Sequence, residues 1–192
     1  MTGVVRLTLV SHGMTDAMTA ARFPDDEPLN ETGRRQAINA EALAGLDIAD
    51  PQARQLAGPE RRARETARML GLSPTAESGL ADLDCGRWRG LALDAVRPEG
   101  LAAWLADPAV APHGGESVVE LIGRVAGWLT SVTHNAMQHS TLRITAVTHP
   151  AVIRAAILLA LDSPPKSFWR IDIAPVSRTI LHFRDAHWTL RL

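Results

Sequence analysis

Two stretches of this chain share one construction, and that repetition limits the folds open to it. Val4 to Thr15 reads VVRLTLVSHGMT, and Leu142 to Arg154 reads LRITAVTHPAVIR. Each is an apolar run rich in β-branched residues, the composition of a strand buried on both faces. Each ends abruptly in a histidine, His12 or His149, where a turn begins. In open α/β sheets, side chains delivered to the carboxyl ends of strands are where ligands bind.

Strand and helix patterns alternate through the rest of the chain. Met14 to Asn30 carries few regular signals, and Pro24, Asp25, Asp26 and Pro28 mark it as a loop of a length that is often functional. Asn30 is placed to cap a helix over Glu31 to Leu46, with Ile38, Ala42 and Leu43 on one side, Gly45 near its end and Pro51 as a break. Ala53 to Ala57 reads as a short strand. Gly58-Pro59-Glu60 then turns into a helix over Arg61 to Leu70, stopped by Gly71.

From Ser73 to Gly115 the pattern weakens, divided by Pro74, Pro98, Pro108 and Pro112, with a helical turn expected over Leu101 to Ala106. Ser117 to Met137 is the longest predicted helix, with apolar residues recurring at three and four. Leu142 to Val147 is a strand and Ala151 to Leu161 a buried helix. Thr179 to Phe183 and Trp188 to Leu192 close the chain as a hairpin around Arg184-Asp185-Ala186. The expected fold is α/β: a three-layer sandwich with a mostly parallel central sheet and helices on both faces. One domain over residues 1–192 is expected, with a cap-like insertion around 73–115 over the active edge.

Composition narrows the function classes. A chain of 192 residues with 46% apolar and 21% charged residues and a net charge of −1 is neither disordered nor basic enough for a nucleic-acid partner. Cys85 stands alone, which removes disulfide frameworks and thiolate metal clusters. The amino terminus has no secretory pattern, and the longest apolar run, Ala155 to Leu161, is too short to span a bilayer. The cytoplasm is the expected compartment, with no membrane partner. A homodimer is compatible with this composition.

Three strand-turn-helix junctions carry His12, Arg62 and His149, and helix amino ends pointing to one edge attract anions. Two imidazoles and a guanidinium suit a phosphate better than a metal, because Arg repels a cation and no closely spaced carboxylates accompany the histidines. His113 and Glu116 have a ligand-like spacing without a third partner nearby. One histidine could attack phosphorus while the other stabilises its oxygens. Arg61 and Arg64 read as a solvated helix face with Glu60 and Glu65 as partners. The five tryptophans read as packing or pocket walls.

These residues fall in an order that resembles the histidine phosphatase superfamily, the phosphoglycerate mutase-like fold, from end to end. Ser11-His12-Gly13-Met14-Thr15 is similar to its Arg-His-Gly-x-Thr, and Leu29 to Ala37 to its Leu-Thr-x-x-Gly-x-x-Gln-Ala. Gly58 to Ala67 resembles Ser-Pro-x-x-Arg-Ala-x-x-Thr-Ala. Leu80-Ala81-Asp82 with Gly86 to Gly90 resembles Leu-x-Glu followed by Gly-x-Trp-Glu-Gly. Gly114 to Ser117, and Val147-Thr148-His149 with Val152-Ile153-Arg154, complete the set.

The resemblance implies a phosphomonoester hydrolase that needs no cofactor or metal and acts on a small phosphorylated metabolite through phosphohistidine. It assigns His12 as nucleophile, His149 and Arg62 to the phosphoryl oxygens, and Asp82 as an acid that needs a raised pKa. Glu116 is the second candidate acid, or a support for the following helix. Ser11, Gly13 and Thr15 belong to the implied phosphate loop. Two departures stand out: Ser11 replaces a phosphate-clamping Arg, and Met18 falls where many members carry Asn. Pro150 also replaces a Gly after the second histidine. Arg89 or Arg22 is the expected compensating cation. If neither compensates, the alternative is a catalytically impaired member that binds an anionic ligand or a protein partner.

Overall fold

The computed structural model describes residues 4–40, 53–136 and 141–191. Its centre is strand β1 (Val4–Ser11), which pairs in parallel with β4 (Thr141–Thr148) on one side and antiparallel with β5 (Arg178–Arg184) on the other. Beyond β4 lie β2 (Arg54–Ala57) and the two-residue β3 (Thr75–Ala76), both parallel; beyond β5 lies β6 (His187–Arg191). The sheet order is therefore β3-β2-β4-β1-β5-β6, four parallel strands with an antiparallel hairpin at one edge. The hairpin turn is tight because Asp185 and Ala186 both take positive φ, 51° and 65°, as a primed two-residue turn demands.

Side chains alternate across β1, and each face has its own helices. Val5, Leu7 and Leu9 pack with α5 (Val118–Ala136) and α6 (Pro150–Ala160), which also pack against each other. Val10, with Val147 and Ala57, meets Ala63 and Ala67 of α3 (Arg61–Met69) on the opposite face. The outcome is the expected three-layer α/β sandwich.

Helix α5 starts with a reciprocal cap: Ser117 Oγ accepts from the Glu120 amide at 3.2 Å, and Glu120 accepts from the Ser117 amide at 2.7 Å. Glu120, not Glu116, is the carboxylate that supports this helix end. Helix α2 (Glu31–Ile38) begins at Asn30 as expected, with Oδ1 accepting from Gly33. It ends earlier than the sequence pattern suggests, and Ile38 is 69% exposed rather than packed. Ala42, Leu43, Gly45 and Pro51 lie outside the described residues.

Two segments without clear periodicity contain more order than their sequence suggests. The loop after β1 holds one helical turn, α1 (Asp16–Thr19), capped by Thr15 Oγ1. The 73–115 segment holds three short 3₁₀ turns and α4 (Pro98–Ala106), which starts earlier than Leu101 because Pro98 suits a first helical position. Among the described residues no helix is long and apolar enough to cross a membrane.

Candidate active site

The carboxyl ends of β1, β4 and β2 meet at a cavity of about 190 Å³, whose floor is His12, Arg62 and Asp82. His12 follows β1 and is 4% exposed. Its Nδ1 lies 2.8 Å from the carbonyl of Gly13, so Nδ1 carries the proton and donates, leaving the Nε2 lone pair free. Burial, then His149 and Arg62, hold its pKa down to about 3, below the usual imidazole range. His12 is thus a neutral imidazole in a buried site.

His149 follows β4 and is fully buried, with its ring centroid 5.1 Å from that of His12. Its Nε2 is 2.7 Å from Glu60 Oε2, which fixes the ring. Its Nδ1 faces Asp82 Oδ2 at 3.4 Å without forming a hydrogen bond. Glu60 is the N-cap of α3, three residues past the end of β2 at Ala57. Only glycine fits at 58, because a Cβ there would lie 2.8 Å from the Leu80 carbonyl and 2.9 Å from His149 Nε2. Burial pushes the Glu60 pKa up, but the bond and charge of His149 together with the Asp82 and Glu60 amides hold the carboxylate below its usual range.

Arg62, 2% exposed, donates from Nη2 to Asp82 Oδ2 at 2.6 Å, while its buried Nη1 has no hydrogen-bond partner. Glu27 lies 3.9 Å from Nη1. Burial pushes the Asp82 carboxyl up, yet His149, Arg62 and His12 together hold it well below the usual carboxylate range. The raised value that an acid requires is therefore not present in the ligand-free site. Cys85 also lines the cavity, but burial and Asp82 push its thiol up to about 12, so it presents no thiolate.

Several residues of the expected phosphate set are placed elsewhere. Ser11 is fully buried, and its hydroxyl donates to the Ala174 carbonyl at 2.5 Å and accepts from the Ser177 amide at 2.9 Å. It anchors a turn in which Val176 is held at φ 53°, a strained value for a β-branched residue, with the Val176 amide bonded to the His12 carbonyl. Ser11 thus holds a turn rather than an anion. Ser11→Ala deletes both of these bonds, while the Ser177 amide still reaches the Ala174 carbonyl at 3.2 Å; at about 0.5–1.5 kcal/mol per bond the loss is about 1–3 kcal/mol. Thermal denaturation should register this as a Tm lower by roughly 2–4 °C per kcal/mol.

Thr15 is buried as the cap of α1, and the Gly13 amide donates to Thr66 Oγ1 at 3.0 Å, so neither group is offered to a ligand. Gly13 is required for packing, since a Cβ would sit 2.8 Å from the Gly33 carbonyl. Arg89 is exposed and paired with Asp84 at 2.9 Å, and it lines a neighbouring depression with Asp25, Asp26 and Glu60 that also reaches Arg62 and Asp82. Arg22 does line the His12 cavity, as an exposed residue, and Met18 stands near it as apolar wall.

Glu116 is not in the cavity. Both its oxygens accept from Arg124, at 2.8 and 2.7 Å, and Arg124 also donates to the carbonyls of Gly79, Ala81 and Asp82. Arg124 thereby fixes the segment that presents Asp82, with Glu116 holding Arg124. Two positions that shape the site escaped the sequence, Glu60 on His149 and Arg124 on the chain around Asp82, whereas Arg154, which lines the cavity from α6, lay in the motif after His149 without an assigned role. Glu60 had one usable signal, its place at the same strand-turn-helix junction as Arg62.

Comparisons with known proteins bear on the family and the fold. The family model described as histidine phosphatase superfamily (branch 1) matches residues 7–192. Phosphoserine phosphatase 1 of Hydrogenobacter thermophilus is 26% identical over 189 residues, covering 95% of this chain and 88% of that protein. A bifunctional protein of Mycobacterium tuberculosis is 29% identical over 188 residues, which span 93% of this chain but 50% of that relative's length. Among solved structures, a mycobacterial glucosyl-3-phosphoglycerate phosphatase in complex with VO3 has a TM-score of 0.81 and 28% identity, covering 97% of each chain.

Proposed function

The chain belongs to the histidine phosphatase superfamily, and from that premise we propose that it hydrolyses small phosphomonoesters through a phosphohistidine on His12. One observation carries this reading: a buried, neutral imidazole whose Nδ1 is tied to the Gly13 carbonyl, so that Nε2 is free to attack. In the first step a bond forms between His12 Nε2 and phosphorus while the bond to the leaving oxygen breaks. Arg62 and the Nδ1 edge of His149 hold the phosphoryl oxygens as charge redistributes. Asp82 gives its proton to the leaving oxygen. In the second step Asp82 takes a proton from the attacking water, the nitrogen–phosphorus bond breaks, and phosphate leaves.

For Asp82 to act as an acid, the substrate must supply the missing proton affinity. A phosphate dianion entering this site competes for Arg62 and His149, the groups that keep Asp82 ionised, and repels the carboxylate directly. Binding is then accompanied by proton uptake at Asp82. One domain carries all of this, with the 73–115 segment as a cap that brings Asp82, Leu83 and Trp104 to the cavity. The names of the relatives, phosphoserine and glucosyl-3-phosphoglycerate phosphatases, support a small phosphorylated metabolite as substrate.

A second reading has its own observation: the position of the clamping Arg is held by Ser11, whose hydroxyl faces the 174–177 turn. In that case the site binds a phosphorylated ligand without turning it over. Hydrolysis of p-nitrophenyl phosphate in excess chelator, with vanadate as inhibitor, decides between them. Chelator-resistant turnover that vanadate blocks is the expected result. Phosphate binding without turnover would establish the second reading.

A further inference from the structure

His149 lies between two carboxylates, one at each ring nitrogen. Its Nε2 is 2.7 Å from Glu60 Oε2, and its Nδ1 faces Asp82 Oδ2 at 3.4 Å. The ring is fully buried, so both contacts act at low dielectric. A carboxylate offers only acceptors, and the bond at Nε2 therefore needs a proton on the imidazole. At Nδ1 a bare lone pair would point at a second anion, whereas an N–H presents its hydrogen to it. From β1 the ring meets His12, which is neutral, with 5.1 Å between centroids. From α3 comes Arg62, a like charge that is itself answered by Asp82 at 2.6 Å, while Arg154 on α6 is bonded to the Ile171 carbonyl at 2.7 Å.

The two carboxylates differ in what the reaction asks of them. Asp82 must give up and regain a proton, and it shares its Oδ2 with Arg62. Glu60 transfers nothing and is tied at both oxygens: Oε1 accepts from the Asp82 amide at 3.0 Å, and Oε2 takes the bond from His149. Gly58 leaves Nε2 to Glu60, since even a Cβ there would stand 2.9 Å from that nitrogen. His149 and the amides hold the Glu60 carboxylate below its usual range, so it stays ionised at neutral pH. We propose that Glu60 is a positioning residue, a permanent counter-ion that keeps a proton on both nitrogens of His149, so that Nδ1–H stays a charged donor to the phosphoryl oxygens while Asp82 alternates between acid and base. This rests on the phosphatase reading above and adds to it a residue at an unspecified position of the motif that ends in Arg62. It also bears on Ser11: with no guanidinium there, the positive charge that joins Arg62 at the phosphoryl group is His149 itself.

The test compares the full chain with Glu60→Gln, which removes the charge and leaves one acceptor for two donors, the Asp82 amide and His149 Nε2–H. Nitrogen-15 spectra of the histidine-labelled, ligand-free chain at neutral pH should show both His149 nitrogens protonated, against one in His12, and a single proton on His149 in the variant. On p-nitrophenyl phosphate kcat/KM should fall by about ten- to a hundredfold, the scale of one charge-assisted hydrogen bond, with vanadate inhibition weakened in step. Glu60→Asp, which keeps the charge, should recover part of both. Lowering the pH from about 8 to about 5.5 should bring Glu60→Gln closer to the wild-type rate, because bulk protons then supply what Glu60 retained. A merely structural role lowers the rate and leaves the nitrogen spectrum and the pH profile unchanged, which would overturn the proposal. So would a His149 ring carrying one proton in the wild-type chain. If the wild-type chain does not turn over the ester, the phosphatase reading fails separately, and calorimetric binding of inorganic phosphate replaces the kinetics. Affinity lost in Glu60→Gln together with a His149 proton then upholds Glu60 as the keeper of that charge; unchanged affinity overturns it.

Discussion

Replacing Arg62 by glutamine is expected to lower kcat/KM on an aryl phosphate by about 10³- to 10⁵-fold, the effect of losing a guanidinium that stabilises a phosphoryl transition state. That corresponds to roughly 4–7 kcal/mol of barrier. The effect belongs at the high end here, because Ser11 supplies no second guanidinium beneath the nucleophile. Arg62 Nη1 is buried with no hydrogen-bond partner in the free site, so it is already desolvated and directed for an incoming oxygen. The substitution also releases Asp82, which Arg62 helps keep ionised, so the pH profile of the residual activity should move upward on the limb governed by that carboxyl. Breaking a buried ion pair costs about 3–5 kcal/mol of stability, so the variant's unfolding must be followed alongside its kinetics. A variant that stays folded and loses less than tenfold in rate would remove Arg62 from the reaction.

His12→Asn carries the other large effect. With no nucleophile, turnover should fall by about 10⁴-fold or more, leaving only what binding and the remaining cations supply. The same variant reports the ionisation of His12 without any kinetics. The folded-state pKa of His12, about 3, lies below its unfolded value near 6.5, so between these values the unfolded chain takes up a proton that the folded chain refuses. Wild-type stability is therefore undiminished by His12 above pH 6.5 and declines as pH falls toward 3, whereas the variant lacks this contribution. Thermal denaturation from pH 7.5 to 4 should show the wild-type chain losing ground relative to His12→Asn as the pH drops. Parallel pH dependences would mean that His12 is not held neutral.

Much of this site could be read before any coordinates, for definite physical reasons. His12 and His149 end apolar strands, and a parallel strand order puts both at one sheet edge; Arg62 follows the third such strand by one turn. Local pattern is sufficient for residues of that kind. Direction is different. Ser11 was legible as a replacement but not as an anchor, because its partners Ala174 and Ser177 lie more than 160 positions away. Glu60 looked like one more helix-face acid until the fold placed it on a histidine 89 positions distant. Arg124 sits on α5 with no local sign of its contacts to the chain around Asp82, and Glu116 acquires its role only through it.

The reaction proposed here has one obligatory intermediate, and trapping it is the most direct measurement. The full chain is mixed with excess p-nitrophenyl phosphate, quenched under alkaline conditions that preserve phosphoramidates, and digested for mass spectrometry. A phosphoryl group on the peptide containing His12, lost on acid treatment and absent from His12→Asn, is the predicted result. Turnover with no such adduct at His12, or an adduct on another side chain, would contradict the assignment of His12 as the phosphoryl acceptor.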